Sequence, residues 1–173
     1  MIADQFLQEL VQESETTRRF LERIPEDQLD WRPHEKSMTV GQLGLHIAQS
    51  TGNVAQMAQA DEFPMPDFSQ GNQQPESLKE ILTAFDESLS QAQKILPTFS
   101  DEAMGNTWSV KIGDQVVFAV PRAGMLRMIM CNHVYHHRGQ LGVYLRLLGC
   151  KVPSSYGPSG DELPAYLAEH AAS

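Results

Sequence analysis

The sequence predicts an all-α fold, a four-helix bundle with a small β-hairpin inserted before the last helix. Four segments carry apolar residues at steps of three and four, which is the period of one helical face. Short or polar connections separate these segments, as in bundles. One stretch before the last segment instead alternates apolar and polar residues, the period of a strand.

The first helix is predicted from about residue 2 to residue 24, immediately before Pro25, which cannot continue a helix. Its apolar stripe would pack against the other helices. The stripe consists of Leu7, Leu10, Thr17, Leu21 and Ile24.

The second helix is predicted to begin near Ser37 or Thr39, either of which could cap its first turn, and to end near Ala60. His46 follows Leu43 by three positions, so it lies at the edge of the apolar stripe. Residues 61–75 are rich in proline and polar residues and are predicted to form a loop. The stripe itself consists of Val40, Leu43, Ile47, Val54 and Ala58.

The third helix is predicted from about Glu76 to Leu96 and ends before Pro97. Two short strands follow, at residues 108–112 and 115–118. They flank the pair Gly113-Asp114, which predicts a hairpin with a type II′ or related turn. The apolar stripe of the third helix consists of Leu78, Leu82, Phe85, Leu89, Ala92 and Leu96.

The fourth helix is predicted between Pro121, suited to a first turn, and Gly149, suited to the position after the last turn. Gly139 inside it costs ~1 kcal/mol relative to alanine, which the close approach of another helix backbone would explain. From about residue 152 the chain is predicted to be an irregular tail with one short helix near residues 165–170, so that residues 1–173 form a single domain. The apolar seam of the fourth helix consists of Leu126, Met130, His133, His137, Leu141, Tyr144 and Leu148.

Composition narrows the classes of function. The chain has 173 residues, 41% of them hydrophobic, and a net charge of -9. This average charge repels nucleic acid and anionic membranes, so neither is an expected partner. No apolar run approaches the ~18 residues of a membrane span, and no signal peptide is evident. Cys131 and Cys150 form no disulfide framework, which favours a cytoplasmic setting.

Two histidines in the apolar seam carry the main indication of chemistry. His133 and His137 are four residues apart, so they point the same way from consecutive turns. Burying two imidazoles side by side requires partners, and a divalent ion such as zinc or nickel would serve both. His46, at the inward edge of the second helix, is the candidate for a third ligand. Three imidazoles leave positions open for water or substrate, the pattern of catalytic sites.

Other residues have weaker claims to a role. His136 is rotated by ~100° from His137, so it is predicted to lie on the surface or behind the ligands. Arg138 could pair with an acidic neighbour or with a substrate carboxylate, and Gln140 is a further candidate near the site. His34 and His170 are expected in solvent, and Cys131 is expected to be a buried structural thiol. The candidates for an acidic fourth ligand are Asp61, Glu62, Asp161 and Glu162.

The fourth helix also carries a family resemblance. The run from Asn132 to Leu141, which reads NHVYHHRGQL, followed by Tyr144-Leu145-Arg146 and Gly149, resembles the His-x-x-x-His-Arg-Gly-Gln signature of the DinB/YfiT-like superfamily. In that family a further metal ligand is a histidine on the second helix, which His46 matches. The resemblance covers approximately residues 1 to 155.

The resemblance implies a bundle with up-down-down-up topology, a three-histidine site for one divalent metal ion, and a homodimer. It also implies a small-molecule substrate and either transfer of a low-molecular-weight thiol or metal-dependent hydrolysis. It implies no DNA binding. The alternative from a different class is a non-catalytic bundle that binds or senses a metal ion. An open metal position in a cleft would favour the enzyme, whereas a closed fourth protein ligand would favour the structural role.

Overall fold

Four long helical segments pack against one another in the computed structural model, which describes residues 1–67, 69, 71–164 and 167. The first three are α1 (Ile2–Leu21), α2 (Val40–Met57) and α3 (Leu78–Ile95). The predicted helices are therefore confirmed, with ends that lie within three residues of the predicted ones. The short helix predicted near residues 165–170 lies outside the described residues, except for Leu167. None of the described helices combines the length and apolarity needed to cross a bilayer.

Side-chain caps determine where the second and third helices begin. The Thr39 hydroxyl accepts a hydrogen bond from the Gln42 amide at 3.0 Å, and the Gln42 side chain accepts one from the Thr39 amide at 3.0 Å. This reciprocal capping box satisfies two amides that the first turn cannot pair internally. The Ser77 hydroxyl caps α3 by accepting a hydrogen bond from the Glu80 amide at 3.1 Å. Of the two caps predicted for α2, Thr39 is the one used.

α2 and α3 lie unusually close because glycines on α2 face α3. A Cβ atom at Gly52 would come within 2.8 Å of the Ser88 Cα and carbonyl oxygen, and one at Gly44 would meet Ile81. The Gly52 amide also donates to the Ser88 hydroxyl at 2.7 Å. These contacts advance along both helices together, so α2 and α3 run parallel. The up-down-down-up order requires this direction, and that order stays a prediction for the whole bundle.

A three-stranded sheet covers one end of the bundle, with strand order β1-β2-β3. β2 (Thr107–Ile112) and β3 (Gln115–Pro121) are antiparallel, which confirms the predicted hairpin, and Gly113 has φ +57° in its turn. β1 (Glu62–Pro64) pairs in parallel with β2. The prediction of a loop for residues 61–75 was therefore wrong for β1, because long-range pairing and not local periodicity forms this strand. A short helix, α4 (Asp101–Gly105), precedes the hairpin.

The last helical segment is continuous but not uniformly α-helical. It consists of α5 (Arg122–Met125), a π-helical segment (Leu126–Asn132) and α6 (His133–Leu147). A π-helix has wider turns than an α-helix, so it rotates the residues that follow it relative to an ideal α-helical seam. The buried positions of α6 are Val134, Arg138, Leu141 and Leu145.

The predicted seam of this helix needs a correction. His133, His137, Tyr144 and Leu148 are partly buried instead of lying at the centre of the core face. Gly139 is a second correction, because a Cβ atom there would meet no atom of the described residues within 4 Å, so none of the described helices approaches it.

Candidate metal centre

Three histidine side chains converge where α2 meets the start of α6. Nε2 of His133 lies 3.2 Å from Nε2 of His46 and 3.0 Å from Nε2 of His137. The potential ligand atoms of all three residues lie within 4.8 Å of one another. The structure thus brings together the three residues proposed from the sequence, although His46 and His133 lie 87 positions apart in the chain.

The orientation of the rings is as informative as their distances. The three ring planes are nearly perpendicular in every pair, with interplanar angles of 76°, 88° and 86°. With metal–nitrogen bonds of about 2.0–2.1 Å, nitrogens in tetrahedral or right-angle arrangements lie about 2.9–3.4 Å apart. The observed separations of 3.0 and 3.2 Å fall in this range. The three residues therefore fit one divalent ion.

Burial keeps these imidazoles in the form that binds metals. Burial is the larger cause, and repulsion from the His137 ring the smaller one, that lowers the pKa of His46 to about 4. The same two causes, burial first and repulsion from the neighbouring imidazoles second, lower the pKa of His133 to about 4 as well. Burial also lowers the pKa of His137, although its hydrogen bond to Gln140 acts in the opposite direction. At neutral pH each ring is therefore uncharged, and one of its two nitrogens carries no proton and can bind a metal ion.

Gln140 determines which nitrogen of His137 faces its neighbours. Nδ1 of His137 donates to the Gln140 side-chain oxygen at 2.7 Å. Because an amide oxygen only accepts, Nδ1 carries the proton and Nε2 presents its lone pair to the cluster. A hydrogen bond of this kind is the usual support of a metal-binding histidine. His133 differs, since its buried Nδ1 has no hydrogen-bond partner among the described residues.

The other candidates do not converge on the cluster. His136 is exposed, with its ring centre 5.0 Å from that of His137. Arg138 is buried and forms an ion pair with Glu13 on α1, at 2.7 Å. His34 is exposed, and His170 lies outside the described residues.

The acidic residues considered as a fourth ligand are engaged elsewhere. Each of the four forms an ion pair, and the candidate metal cluster found among the described residues contains only the three histidines. Three ligands from the protein leave coordination positions open in the described part of the chain. The pairs are Asp61 with Arg122, Glu62 with Lys111, Asp161 with Arg146, and Glu162 with Arg19.

Cys131 is buried, and burial raises the pKa of its thiol to about 11. A thiol with such a pKa is protonated at neutral pH and is a poor nucleophile. This agrees with the structural role predicted for Cys131.

Glu13, the partner of Arg138, was not predicted from the sequence. Nothing local distinguishes Glu13 from the other acidic residues of α1. Thr17, one turn later, did carry a signal, because it is a polar residue within the apolar stripe of the first helix. Its hydroxyl accepts a hydrogen bond from Arg138 at 3.1 Å.

Comparisons with known proteins show similarity over most of the chain. The family model of the DinB family matches residues 1–166. The uncharacterized protein YrdA of Bacillus subtilis is 26% identical over 165 residues, which cover 92% of this chain and 90% of YrdA.

Solved structures show the same fold. A DinB-like protein from Bacillus cereus has a TM-score of 0.69 at 21% identity, covering 88% of this chain and 97% of that one. YfiT from Bacillus subtilis has a TM-score of 0.59 at 16% identity, covering 86% of this chain and 89% of YfiT. YfiT is described as a probable metal-dependent hydrolase with an unusual four-helix bundle topology.

Proposed function

The chain belongs to the DinB family, and from this premise we propose that it is a metal-dependent enzyme acting on a small molecule. In this proposal His46, His133 and His137 are the ligands of one zinc or nickel ion. A single observation carries the proposal. Three neutral imidazoles direct their Nε2 atoms toward one point, with separations of 3.0 and 3.2 Å and nearly perpendicular rings. One ion would satisfy both short contacts at once, whereas a proton on one Nε2 can lie directly between only two of the three nitrogens.

The chain's own residues would divide the work as follows. Burial keeps the rings of His46 and His133 unprotonated, and Gln140 holds the His137 ring in the tautomer whose Nε2 faces the centre. A divalent ion held by these residues would lower the pKa of a water or thiol and so would supply a nucleophile at neutral pH. His136, exposed beside His137, is proposed to contact the substrate or to exchange protons with solvent.

Hydrolysis and thiol transfer are the two reactions that this centre would support. The description of YfiT as a probable metal-dependent hydrolase favours hydrolysis. Transfer of a low-molecular-weight thiol to an electrophile is the second candidate, on the family resemblance of the helix 4 motif. The open coordination positions favour either reaction over the alternative of a non-catalytic metal-binding or sensing bundle, in which a fourth protein ligand would be expected.

The decisive experiment is metal analysis followed by an activity screen on untagged protein purified without a nickel column. We expect one divalent ion per chain. We also expect an activity that a chelator removes and the ion restores, measured against a panel of esters and amides and as loss of free thiol in the presence of electrophiles. Product formation without added thiol would identify a hydrolase, whereas thiol loss that depends on the electrophile would identify a transferase. Bound metal with neither activity would favour the non-catalytic bundle.

We further propose that the protein is a cytoplasmic homodimer whose chain forms a single domain over residues 1–173. The net charge of -9 supports the absence of nucleic-acid partners. The surface proposed for self-association is the outer stripe of α6, which consists of Gly139, Val143 and Leu147.

Two features of the outer stripe support this surface. Val143 and Leu147 are 59% and 60% exposed, and no residue of the stripe is an acid, a lysine or an arginine. Two copies of an acidic protein meet there without repulsion between carboxylates. Gly139 would also let a second backbone approach closely, which would account for a glycine that the chain's own packing does not require.

A further inference from the structure

Arg138 is a buried charge on the helical turn that carries two of the three histidines. It is only 2% exposed, although it directly follows His137 in the sequence. Its guanidinium faces α1, where it contacts Glu13 Oε2 at 2.7 Å and the Thr17 hydroxyl at 3.1 Å. Burying a guanidinium is costly, and the ion pair with Glu13 offsets that cost only if its geometry is held closely.

Two tyrosine rings enclose this ion pair. The guanidinium carbon of Arg138 lies 5.4 Å from the centre of the Tyr135 ring and 5.2 Å from that of Tyr156. Tyr156 comes from the segment after α6, and its hydroxyl donates to Glu13 at 3.2 Å. The arginine is therefore held by α1, by its own helix and by the following segment.

A second acidic residue of α1 continues the same contact. Glu9 accepts a hydrogen bond from the Tyr135 hydroxyl at 2.7 Å and binds Arg127 through both carboxylate oxygens, at 2.6 and 2.7 Å. Glu9 and Glu13 lie one turn apart on α1, and together they hold the π-helical segment and the first turns of α6. The contacts of Glu9 and Glu13 with these residues thus fix the rotation of α6 about its own axis.

Small rotations of α6 would matter greatly at the histidines. The Nε2 atom of a histidine lies about 6 Å from its helix axis, so a rotation of 10° displaces it by about 1 Å. Metal–ligand distances tolerate deviations of only about 0.2 Å. His46 lies on α2 and would not follow such a rotation, so the three Nε2 atoms would separate.

We propose that Arg138 is a positioning residue for the metal centre: its buried ion pair with Glu13 sets the rotation of α6 that places Nε2 of His133 and His137 opposite His46. The inference rests on the proposed function, since it assumes that these histidines bind a metal ion. It assigns Arg138 no contact with substrate.

The structure contains a matched control for this proposal. Arg122 is 3% exposed and is held by Asp61 and by the carbonyl oxygens of Ala58 and Ala103. It ties the end of α2 to α4 and the sheet, away from the three histidines. Loss of either arginine removes a buried charge, but only the loss of Arg138 releases α6.

The test compares Co²⁺ binding by the full-length wild type, Arg138→Met and Arg122→Met, with the melting temperature of each metal-free protein measured in parallel. We expect both variants to melt at lower temperature. Arg138→Met should bind Co²⁺ 10–100-fold more weakly, the range for residues that support metal ligands, and should show an altered visible absorption spectrum of the bound ion. Arg122→Met should stay within about twofold of the wild type and keep its spectrum.

If Arg138→Met does not fold, Arg138→Lys replaces it, since lysine retains the charge beside Glu13 but not the planar fork. Arg138→Lys should bind Co²⁺ more weakly than the wild type, but its loss of affinity should be smaller than the 10–100-fold loss expected for Arg138→Met. Equal affinities and spectra for the arginine variants and the wild type would overturn the positioning role and leave the proposed function intact. A wild type that binds no Co²⁺ or Zn²⁺ would overturn both.

Discussion

The imidazoles of His46 and His133 stay neutral at pH values where histidines in water are protonated. In an unfolded chain a histidine titrates near pH 6.5, whereas burial lowers the pKa of both residues to about 4. Between these values the unfolded chain binds protons that the folded chain does not bind. The free energy of unfolding must therefore decrease as the pH falls through this interval.

This linkage predicts acid sensitivity of the metal-free protein. The contribution of His46 and His133 to the free energy of unfolding should be constant above about pH 7, fall between pH 6.5 and 4, and level off below. Urea unfolding in the presence of a chelator at several pH values would measure it. The double variant His46→Gln/His133→Gln should lose less stability over the same interval, whereas His34→Gln, at an exposed position, should behave as the wild type. Parallel pH profiles for all three proteins would contradict the prediction.

Adjacent histidines on α6 should differ sharply in their effect on metal binding. His137→Ala removes a ligand of the proposed site, so metal affinity should fall by orders of magnitude, and metal-dependent activity should be lost with it. His136→Ala removes an exposed ring and should cost at most 10–100-fold. Equilibrium dialysis, with thermal melts with and without chelator, would compare the two variants. A metal site lost in His136→Ala but kept in His137→Ala would refute the assignment of the ligands.

Two glycines show how differently helices use this residue. Gly52 lies where α2 contacts the backbone of α3, and a methyl group there would come within 2.8 Å of backbone atoms, which cannot move aside as a flexible side chain can. Gly139 lies on the outer surface of α6, where a methyl group would meet no atom within 4 Å. The first glycine permits the close packing of two elements, and the second is not needed by the packing of the described residues.

The same substitution should consequently have opposite effects at these positions. Gly52→Ala should destabilise the protein by about 1–3 kcal/mol, because α2 and α3 must separate or distort. Gly139→Ala should stabilise it by up to ~1 kcal/mol, the difference in helix propensity. Thermal and urea unfolding at low protein concentration, where the monomer dominates, would measure both. Destabilisation by Gly139→Ala under these conditions would contradict the prediction, because it would mean that an intramolecular contact leaves no room for a methyl group at this position.

At the scale of the whole molecule, charge and exposure restrict where two copies could meet. The chain carries 22 acidic residues against 13 basic ones, so most faces of two copies repel. The outer stripe of α6 contains two exposed aliphatic side chains, Val143 and Leu147, and no carboxylate. Ile112, at the end of the hairpin, is 57% exposed and offers a comparable apolar side chain on a different surface.

Self-association should therefore depend on α6 and not on the hairpin. The wild type is expected to be a dimer at micromolar concentration, and Val143→Glu/Leu147→Glu should be a monomer because two carboxylates would face their copies. Ile112→Glu should remain a dimer. Sedimentation velocity or light scattering would distinguish these states. A monomeric wild type, or a dimer that survives the double substitution, would exclude this interface.

Local patterns in the sequence determined most of the elements. Periods of three and four residues predicted the long helices, Thr39 marked the start of α2, and the Gly113-Asp114 pair marked the hairpin. The four-residue spacing of His133 and His137 predicted that their side chains share a direction. These features depend on residues within one or two turns of each other, so they can be read before the chain folds.

Only the tertiary structure decided how these elements meet. It brought Nε2 of His46 to 3.2 Å from that of His133, paired β1 with β2, and joined Arg138 to Glu13, 125 positions earlier. It also introduced the π-helical segment and left the two histidines that follow it only partly buried. Such features depend on the packing of residues distant in sequence, and a periodic pattern carries no information about which distant residue will lie opposite.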